Sequence, residues 1–575
     1  MIHHRRFRVF ITFFYFLLVC LFIRAFYMQV IKREFYRQKS ESQLQRSIHI
    51  YPHRGCIYDR HFTPLAIAKV RYAVYGFPGQ MTRKAEFVAK AAPILEMSED
   101  VLRAKVYSSS PFVWIKRKID APCYKKLRAL QGQLRMQGIE FLKEEERVYP
   151  NGRLAAHAMG FVGIDNQGLG GLEYYFDQFL KGSPGKIVLQ GDPRGFRVIS
   201  GYSKTLNHAY DGGYIKTTLD EYVQYVTQKH LREGVEENNA NGGIAIVMDP
   251  QTGDVLALAS VPDFDPNHWV ESDVHSRTNK AIVDVYEPGS VFKIVTLSGV
   301  LEEKLARPGD VMYVPATIKV GGRLIREAHE REPGESDRRT VTEILEKSLN
   351  VGTTMLAQRL GEKRLYSYIK KFGFGDKTGI ELPGESRGLL RDVKRWSGSD
   401  IGMISFGQGV AVTPVQMVAA VGAIANRGLW MKPRIVDYIR YHQNMSIKGI
   451  PKVSRRAVSE STAKEVTDMM IRTVDTGTGV SAQLPGFYVA GKTGTAQKPG
   501  ANGHGYVTGE YVASFIGFFP AHHPEFVILV VVDTPRKSIY GAAVAAPIFR
   551  KIAADLVSYR NLPVERPCHG RRGSI

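Results

Sequence analysis

Three short segments carry side chains whose types and spacing suit acyl transfer to a serine. The first is EPGSVFK, residues 287–293. Pro288 and Gly289 make a turn ahead of a helical pattern. Ser290 then falls at a helix N-terminus, and Lys293, three residues on, shares its face. A serine hydroxyl is a poor nucleophile until a base takes its proton. A lysine can be that base where burial or a nearby cation lowers its pKa. The helix N-terminus adds a partial positive field and a free backbone N–H for a developing oxyanion. The second segment is Ser348-Leu349-Asn350, at the end of the helical run VTEILEKSLN. Its two polar side chains flank an apolar one and face one side of a short loop. The hydroxyl can relay a proton to a leaving amine, and the amide can orient the lysine and a substrate amide. The third is VAGKTGTAQK, residues 489–498. Gly491 and Gly494 let a substrate backbone lie alongside as an added strand. Lys492 supplies a fixed positive charge, and Thr493 and Thr495 supply hydroxyls, a set that suits a carboxylate. The backbone N–H of Thr495 can complete an oxyanion hole.

Singly, each segment has a plainer reading: a capped helix with an exposed lysine, or a turn. The third also meets the phosphate-loop spacing G-x-x-x-x-G-K-[ST] from Gly486 to Thr493. The interior Phe487-Tyr488-Val489-Ala490 is a strand sequence, too bulky to wrap phosphates, so that reading is set aside. The ordered set, with Ser348 58 residues after Ser290 and Lys492 144 residues after Ser348, is far more specific than any member.

These segments need a scaffold, and the rest of the chain describes one. The chain has 575 residues, 44% apolar and 23% charged, enough for at least one large core. Lys plus Arg number 78 and Asp plus Glu 56, a net charge of +22. Such a surplus favours an acidic polymer or an anionic membrane surface as neighbour. The four cysteines, Cys20, Cys56, Cys123 and Cys568, are too few and too scattered for a disulfide framework or a thiolate metal site. At the N-terminus, IHHRRFR precedes an apolar run from Val9 to about Tyr27, near the length that crosses a bilayer. No small-x-small cleavage pattern follows, so residues 1–30 read as an uncleaved signal anchor with a cytoplasmic tip. That placement removes nucleic acid as the acidic partner and leaves the cell envelope.

A charged region, 31–215, follows. Residues 54–66 read as strand, turn and strand, and 81–146 as helical pieces; no catalytic cluster is visible. From 216 to 560 the pattern is α+β. The run EYVQYVTQKHLREGVEE is a helix, 241–260 a hairpin, and 509–520 and 525–533 further strands. Strands at both ends with helices between predict an antiparallel sheet joining N- and C-terminal pieces. The basic tail, 561–575, reads as loose from Val564 onward.

The ordered S-x-x-K, S-x-N and K-T-G motifs resemble those of class B penicillin-binding proteins. Further segments carry the resemblance: RGCIYDR (54–60), LASVPDFDPN (258–267), NKAIVDVYEPGSVFK (279–293), SFGQGVAVTPVQM (405–417) and DTGTG (475–479). YPNGRLAAHAMGFVG (149–163) and GLGGLE (168–173) are most similar to division-type (FtsI-like) members, with elongation-type relatives the near alternative. The resemblance implies a transmembrane helix, a pedestal or dimerisation-type interaction domain and a penicilloyl-serine transferase domain. It implies Ser290 as nucleophile, Lys293 as base, Ser348 and Asn350 as proton relay and orienter. Lys492, Thr493, Gly494 and Thr495 would receive a peptidoglycan stem peptide ending in D-Ala-D-Ala. β-Lactams would acylate Ser290. No metal or organic cofactor is implied. Implied partners are a membrane-embedded glycosyltransferase and division or elongation complex proteins. The implied location is the inner membrane with an extracytoplasmic catalytic domain. A β-lactam-binding scaffold or sensor is the rival function. The carboxylates Glu327, Glu330, Glu332 and Glu335 read as a solvated loop, with no deacylating glutamate assignable.

Overall fold

The computed structural model describes residues 2–50, 52–191, 198–328, 335–441, 446–500 and 505–566. The chain divides into two compact units. One comprises residues up to 53 and 182–212. It contains the N-terminal helix α1 (Ile2–Phe26) and a three-stranded antiparallel sheet with Gly185–Gly191 between Gln45–Ile50 and Val198–Asn207. The helical stretch His4–Ile31 is long and apolar enough to cross a membrane. The expected anchor lies within it.

The other unit holds everything else described. Its first half builds a sheet from β1 (Ile57–Tyr58), β2 (Pro64–Gly76), β3 (Val113–Ile119) and β4 (Ile139–Val148). The expectation of helical pieces over 81–146 holds in part and misses two strands. Helices at Lys84–Leu95, Glu99–Val106 and Ala121–Gln133 do form, but β3 and β4 separate and follow them. The acidic run in β4 misleads because its charges are not spaced along a helix face. They are matched across strands: Arg71 of β2 pairs with Glu146 of β4 at 2.6 Å. β5 (Tyr214–Thr217) runs parallel to β1, and β10 (Val436–Arg440), antiparallel to β5, carries the same sheet toward the second half of the unit.

A buried charge cluster closes this first half. Arg54 Nε donates to Glu173 Oε2 at 2.7 Å, and Arg54 Nη1 to Asp177 at 2.8 Å. Arg147 Nε donates to Glu173 Oε1 at 2.5 Å, and Tyr149 adds its hydroxyl at 3.3 Å. The segments RGCIYDR and GLGGLE are therefore one contact, made across 119 residues of chain.

The second half follows α2 (Glu221–Glu237). Its central sheet is antiparallel, in the order β7 (Val255–Val261), β6 (Gly242–Met248), β13 (Phe526–Asp533), β12 (Tyr506–Phe519), β11 (Ala490–Pro499). N- and C-terminal strands meet between β6 and β13, as the sequence pattern predicts. The unbroken apolar run of β13 follows from burial on both faces: Val527, Leu529 and Val531 enter one core, and Ile528, Val530 and Val532 the other. α2 and the C-terminal helix α7 (Gly541–Arg560) cover the second of these cores. Among the described residues β11 stands at the edge of the sheet, paired to β12. Beyond α7 the chain is not loose at once. The backbone N–H groups of Glu565 and Arg566 donate to the Gly486 carbonyl at 2.9 Å, correcting the expectation for the first residues of the tail. Residues 567–575 lie outside the described residues.

Candidate active site

Ser290 sits in a single 3-10 turn, Gly289–Phe292, that runs directly into α3 (Lys293–Glu302). Gly289 has φ +55, and a Cβ there would lie 3.0 Å from the Thr495 carbonyl of β11. Only glycine joins that conformation to that approach. Gly494 repeats the argument from the strand side. A Cβ at Gly494 would lie 2.9 Å from Val291 and 3.0 Å from the Pro288 carbonyl. The two glycines thus press β11 against the turn bearing Ser290.

After the hairpin of β8 (Thr317–Val320) and β9 (Arg323–Arg326), α4 (Val341–Glu346) and α5 (Asn350–Leu360) supply the middle motif. Ser348 lies between the helices with φ 61, an uncommon conformation for a non-glycine residue. Asn350 is the first residue of α5 rather than part of a loop, which adjusts the sequence expectation. Lys293 Nζ donates to Asn350 Oδ1 at 2.8 Å, to the Ser348 carbonyl at 2.5 Å and to Ser348 Oγ at 3.2 Å. The α3–α5 packing therefore delivers the lysine of the first motif onto both polar groups of the second.

Lys293 and Lys492 are both 0% exposed. Burial pulls Lys293 down to about 7, against the opposing field of Glu327. Burial, and then the neighbouring Lys293 charge, hold Lys492 well below the usual lysine range. Burial therefore disfavours the charged form that the sequence pattern assigns to Lys492. Two desolvated ammonium groups this close cannot both keep their protons at low cost. A bound carboxylate would favour the charged form of Lys492. Lys492 Nζ donates to the Thr493 carbonyl at 3.2 Å and to Thr493 Oγ1 at 3.4 Å. Thr495 Oγ1 accepts the Gly541 N–H of α7 at 3.2 Å, which leaves its own proton available to an anion.

Residues 490–499 are a strand that turns back into another strand, so no helix follows Lys492-Thr493. The phosphate-loop spacing is thereby incidental.

One residue escaped the sequence reading. Glu327, expected in a solvated loop, accepts the Asn350 N–H at 2.5 Å and the Val351 N–H at 3.0 Å, capping α5. The signal was an acidic residue just past an apolar-polar hairpin, indistinguishable locally from its neighbours. Glu335 is also engaged, with Arg339 at 2.5 Å and Lys347 at 2.6 Å. Glu330 and Glu332 lie outside the described residues.

Comparison with known proteins agrees with this geometry. Residues 243–554 match the penicillin binding protein transpeptidase domain, and 49–217 the penicillin-binding protein dimerisation domain. Stage V sporulation protein D of Bacillus subtilis is 36% identical over 541 residues, covering 92% of this chain and 82% of that protein. Peptidoglycan D,D-transpeptidase FtsI of Escherichia coli is 30% identical over 550 residues, covering 94% and 89%. A crystal structure of penicillin binding protein 3 from Mycobacterium tuberculosis complexed with ampicillin superposes with a TM-score of 0.70 at 30% identity, covering 91% of this chain and 98% of that one. With a matching transpeptidase domain, a matching dimerisation domain and relatives of this identity over nearly its whole length, the chain belongs to the class B penicillin-binding proteins.

Proposed function

We propose that this protein is a peptidoglycan D,D-transpeptidase that forms stem-peptide cross-links through a Ser290 acyl-enzyme. The observation that carries the reading is a buried lysine, Lys293, bonded to Ser348 and Asn350 one helical turn from Ser290, beside the open edge of β11. A donor peptide lies along that edge as a sixth strand. Its terminal carboxylate meets Lys492, Thr493 and Thr495, with Gly494 giving the backbone room. The anion favours the ammonium form of Lys492, whose charge in turn disfavours a proton on Lys293. Lys293 Nζ then takes the Ser290 proton as Oγ bonds to the penultimate carbonyl carbon. The backbone N–H groups of Ser290 and Thr495 hold the oxyanion, each such donor being worth about 3–4 kcal/mol. The C–N bond breaks, the terminal D-Ala leaves with a proton passed through Ser348, and an acceptor amine repeats the sequence in reverse.

β-Lactams present a strained amide and a carboxylate to the same groups and acylate Ser290. The helix within 4–31 anchors the chain in the inner membrane with its basic end cytoplasmic, and 31–215 acts as the pedestal for the 216–560 transpeptidase domain, the 561–575 tail following. Septal cross-linking is favoured over the side wall by the segments at 149–163 and 168–173, in company with a membrane-embedded glycosyltransferase. Radiolabelled or fluorescent penicillin tests the chemistry: one adduct per chain, on Ser290, lasting minutes or longer. Hydrolysis within seconds would instead favour a β-lactam-destroying enzyme. A fluorescent fusion confined to side walls would overturn the septal assignment alone.

A further inference from the structure

The segment DTGTG at 475–479 has no role in the scheme above, yet the structure holds it from three sides. It spans the end of the helix α6 (Glu460–Asp475) and the turn that follows, and its partners belong to the same compact unit. On the first side, the Thr493 hydroxyl of the substrate strand donates to Thr478 Oγ1 at 3.2 Å. On the second, the Thr476 hydroxyl donates to Glu346 Oε1 at 2.6 Å, and the Thr478 N–H donates to the Glu346 carbonyl at 3.2 Å. Glu346 ends α4, two residues before Ser348. On the third side stands the C-terminal segment. Arg566 Nη2 donates to Asp475 Oδ2 at 2.5 Å. Its guanidinium lies 3.7 Å from the centroid of the Tyr488 ring. Glu565 Oε2 accepts the Tyr488 N–H at 3.0 Å. Tyr488 stands two residues before β11, so this segment grips both the turn carrying Thr478 and the approach to Lys492–Thr495. The turn fits closely: a Cβ at Gly477 would lie 2.5 Å from the Glu346 carbonyl.

We propose that Arg566 is a positioning residue for donor recognition, its latch on Asp475 and Tyr488 holding Thr478 against Thr493 and so fixing the hydroxyls that receive the donor carboxylate. The proposal rests on the transpeptidase reading of Ser290 and Lys492–Thr495. The ion pair is partly shielded, its side chains 32% and 25% exposed, so water screens it less than a fully exposed pair. A carboxylate held by the hydroxyls of β11 binds only as well as their positions are kept, and the bond to Thr478 helps keep that of Thr493.

The test uses the full-length protein in detergent with two probes, benzylpenicillin and its methyl ester. Stopped-flow acylation separates the pre-acylation constant from the acylation rate constant. Arg566→Gln and Asp475→Asn are expected to weaken the pre-acylation constant for benzylpenicillin about three- to tenfold and to leave the rate constant within about twofold. The ester, which lacks the charge, loses less, and the swapped pair Arg566→Asp with Asp475→Arg recovers most of the loss. An unchanged constant in both single variants, an equal loss with the ester, or a rate constant that falls in step would overturn the latch. Should Arg566→Gln fail to fold, the near-isosteric Asp475→Asn carries the same comparison. Labelling that persists in Ser290→Ala is a separate outcome, and it overturns the parent reading instead.

Discussion

Two of the buried groups of charged side chains in this molecule are built on opposite rules. In the first half of the larger unit, Arg54 and Arg147 face Glu173 and Asp177, two charges of each sign. Burial pulls the Arg54 guanidinium down, but Glu173 and Asp177 more than reverse it and hold it above its ordinary value. In the second half, Lys293 and Lys492 are buried together, and the direct partners of Lys293 are uncharged oxygens. Burial there is only partly offset, by the Glu327 carboxylate acting on Lys293, and both lysines are pushed down. A matched cluster fixes structure, because each charge needs its partner. An unmatched one stores reactivity, because a lysine that cannot keep its proton is a base at neutral pH.

The comparison breaks first at the nucleophile. Ser290→Ala is expected to abolish covalent labelling by penicillin while thermal unfolding stays close to the parent; stoichiometric labelling of the variant would end the assignment. Next comes the unmatched lysine. Lys293→Ala should slow acylation by about 10²–10⁴-fold, the range for a lost general base. It should not unfold the protein, since no ion pair is broken. Near-normal acylation, followed by the same stopped-flow signal, would remove Lys293 as the base.

The matched cluster should answer the other way. Glu173→Gln takes the carboxylate from Arg147 and leaves Arg54 with Asp177 alone, and should cost about 3–5 kcal/mol of stability. The expected record is a lowered unfolding midpoint, with the surviving folded fraction still acylated at the parent rate. A variant with unchanged stability and impaired acylation would reverse the roles given to the two clusters.

The difference also explains what could be read in advance. The site was legible because its groups come in short motifs whose order is informative: Ser290 with Lys293, Ser348 with Asn350, and Lys492 with its glycines. The hairpin at 241–260 and the apolar strand at 525–533 were legible by periodicity and turn chemistry. What depends on tertiary placement was not. The strand Ile139–Val148 hid behind charges that pair across a sheet. The lowered pKa of Lys492 follows from burial, which no local pattern reports. Glu173 matters through partners up to 119 residues away, and Arg566 through Asp475, 91 residues away.

The smallest expected effect sharpens the account of the unmatched pair. Lys293 gives up its proton with a pKa of about 7, so acylation should rise as pH increases through that value and fall below it, where the lysine stays protonated. The Glu327 carboxylate favours the ammonium form and therefore holds that midpoint up. Glu327→Gln removes the charge, so the midpoint should move toward lower pH. Relative to its own plateau, the variant is then more active at pH 6 than the parent. The plateau itself should drop, because one amide oxygen replaces two carboxylate oxygens that accept the Asn350 and Val351 N–H groups. Loss of one such bond corresponds to a few-fold change, from about 0.5–1.5 kcal/mol. Acylation rates of both proteins from pH 5.5 to 9 decide it. A midpoint that stays put or moves upward would show that Glu327 acts only as a cap for α5 and not on the charge of Lys293.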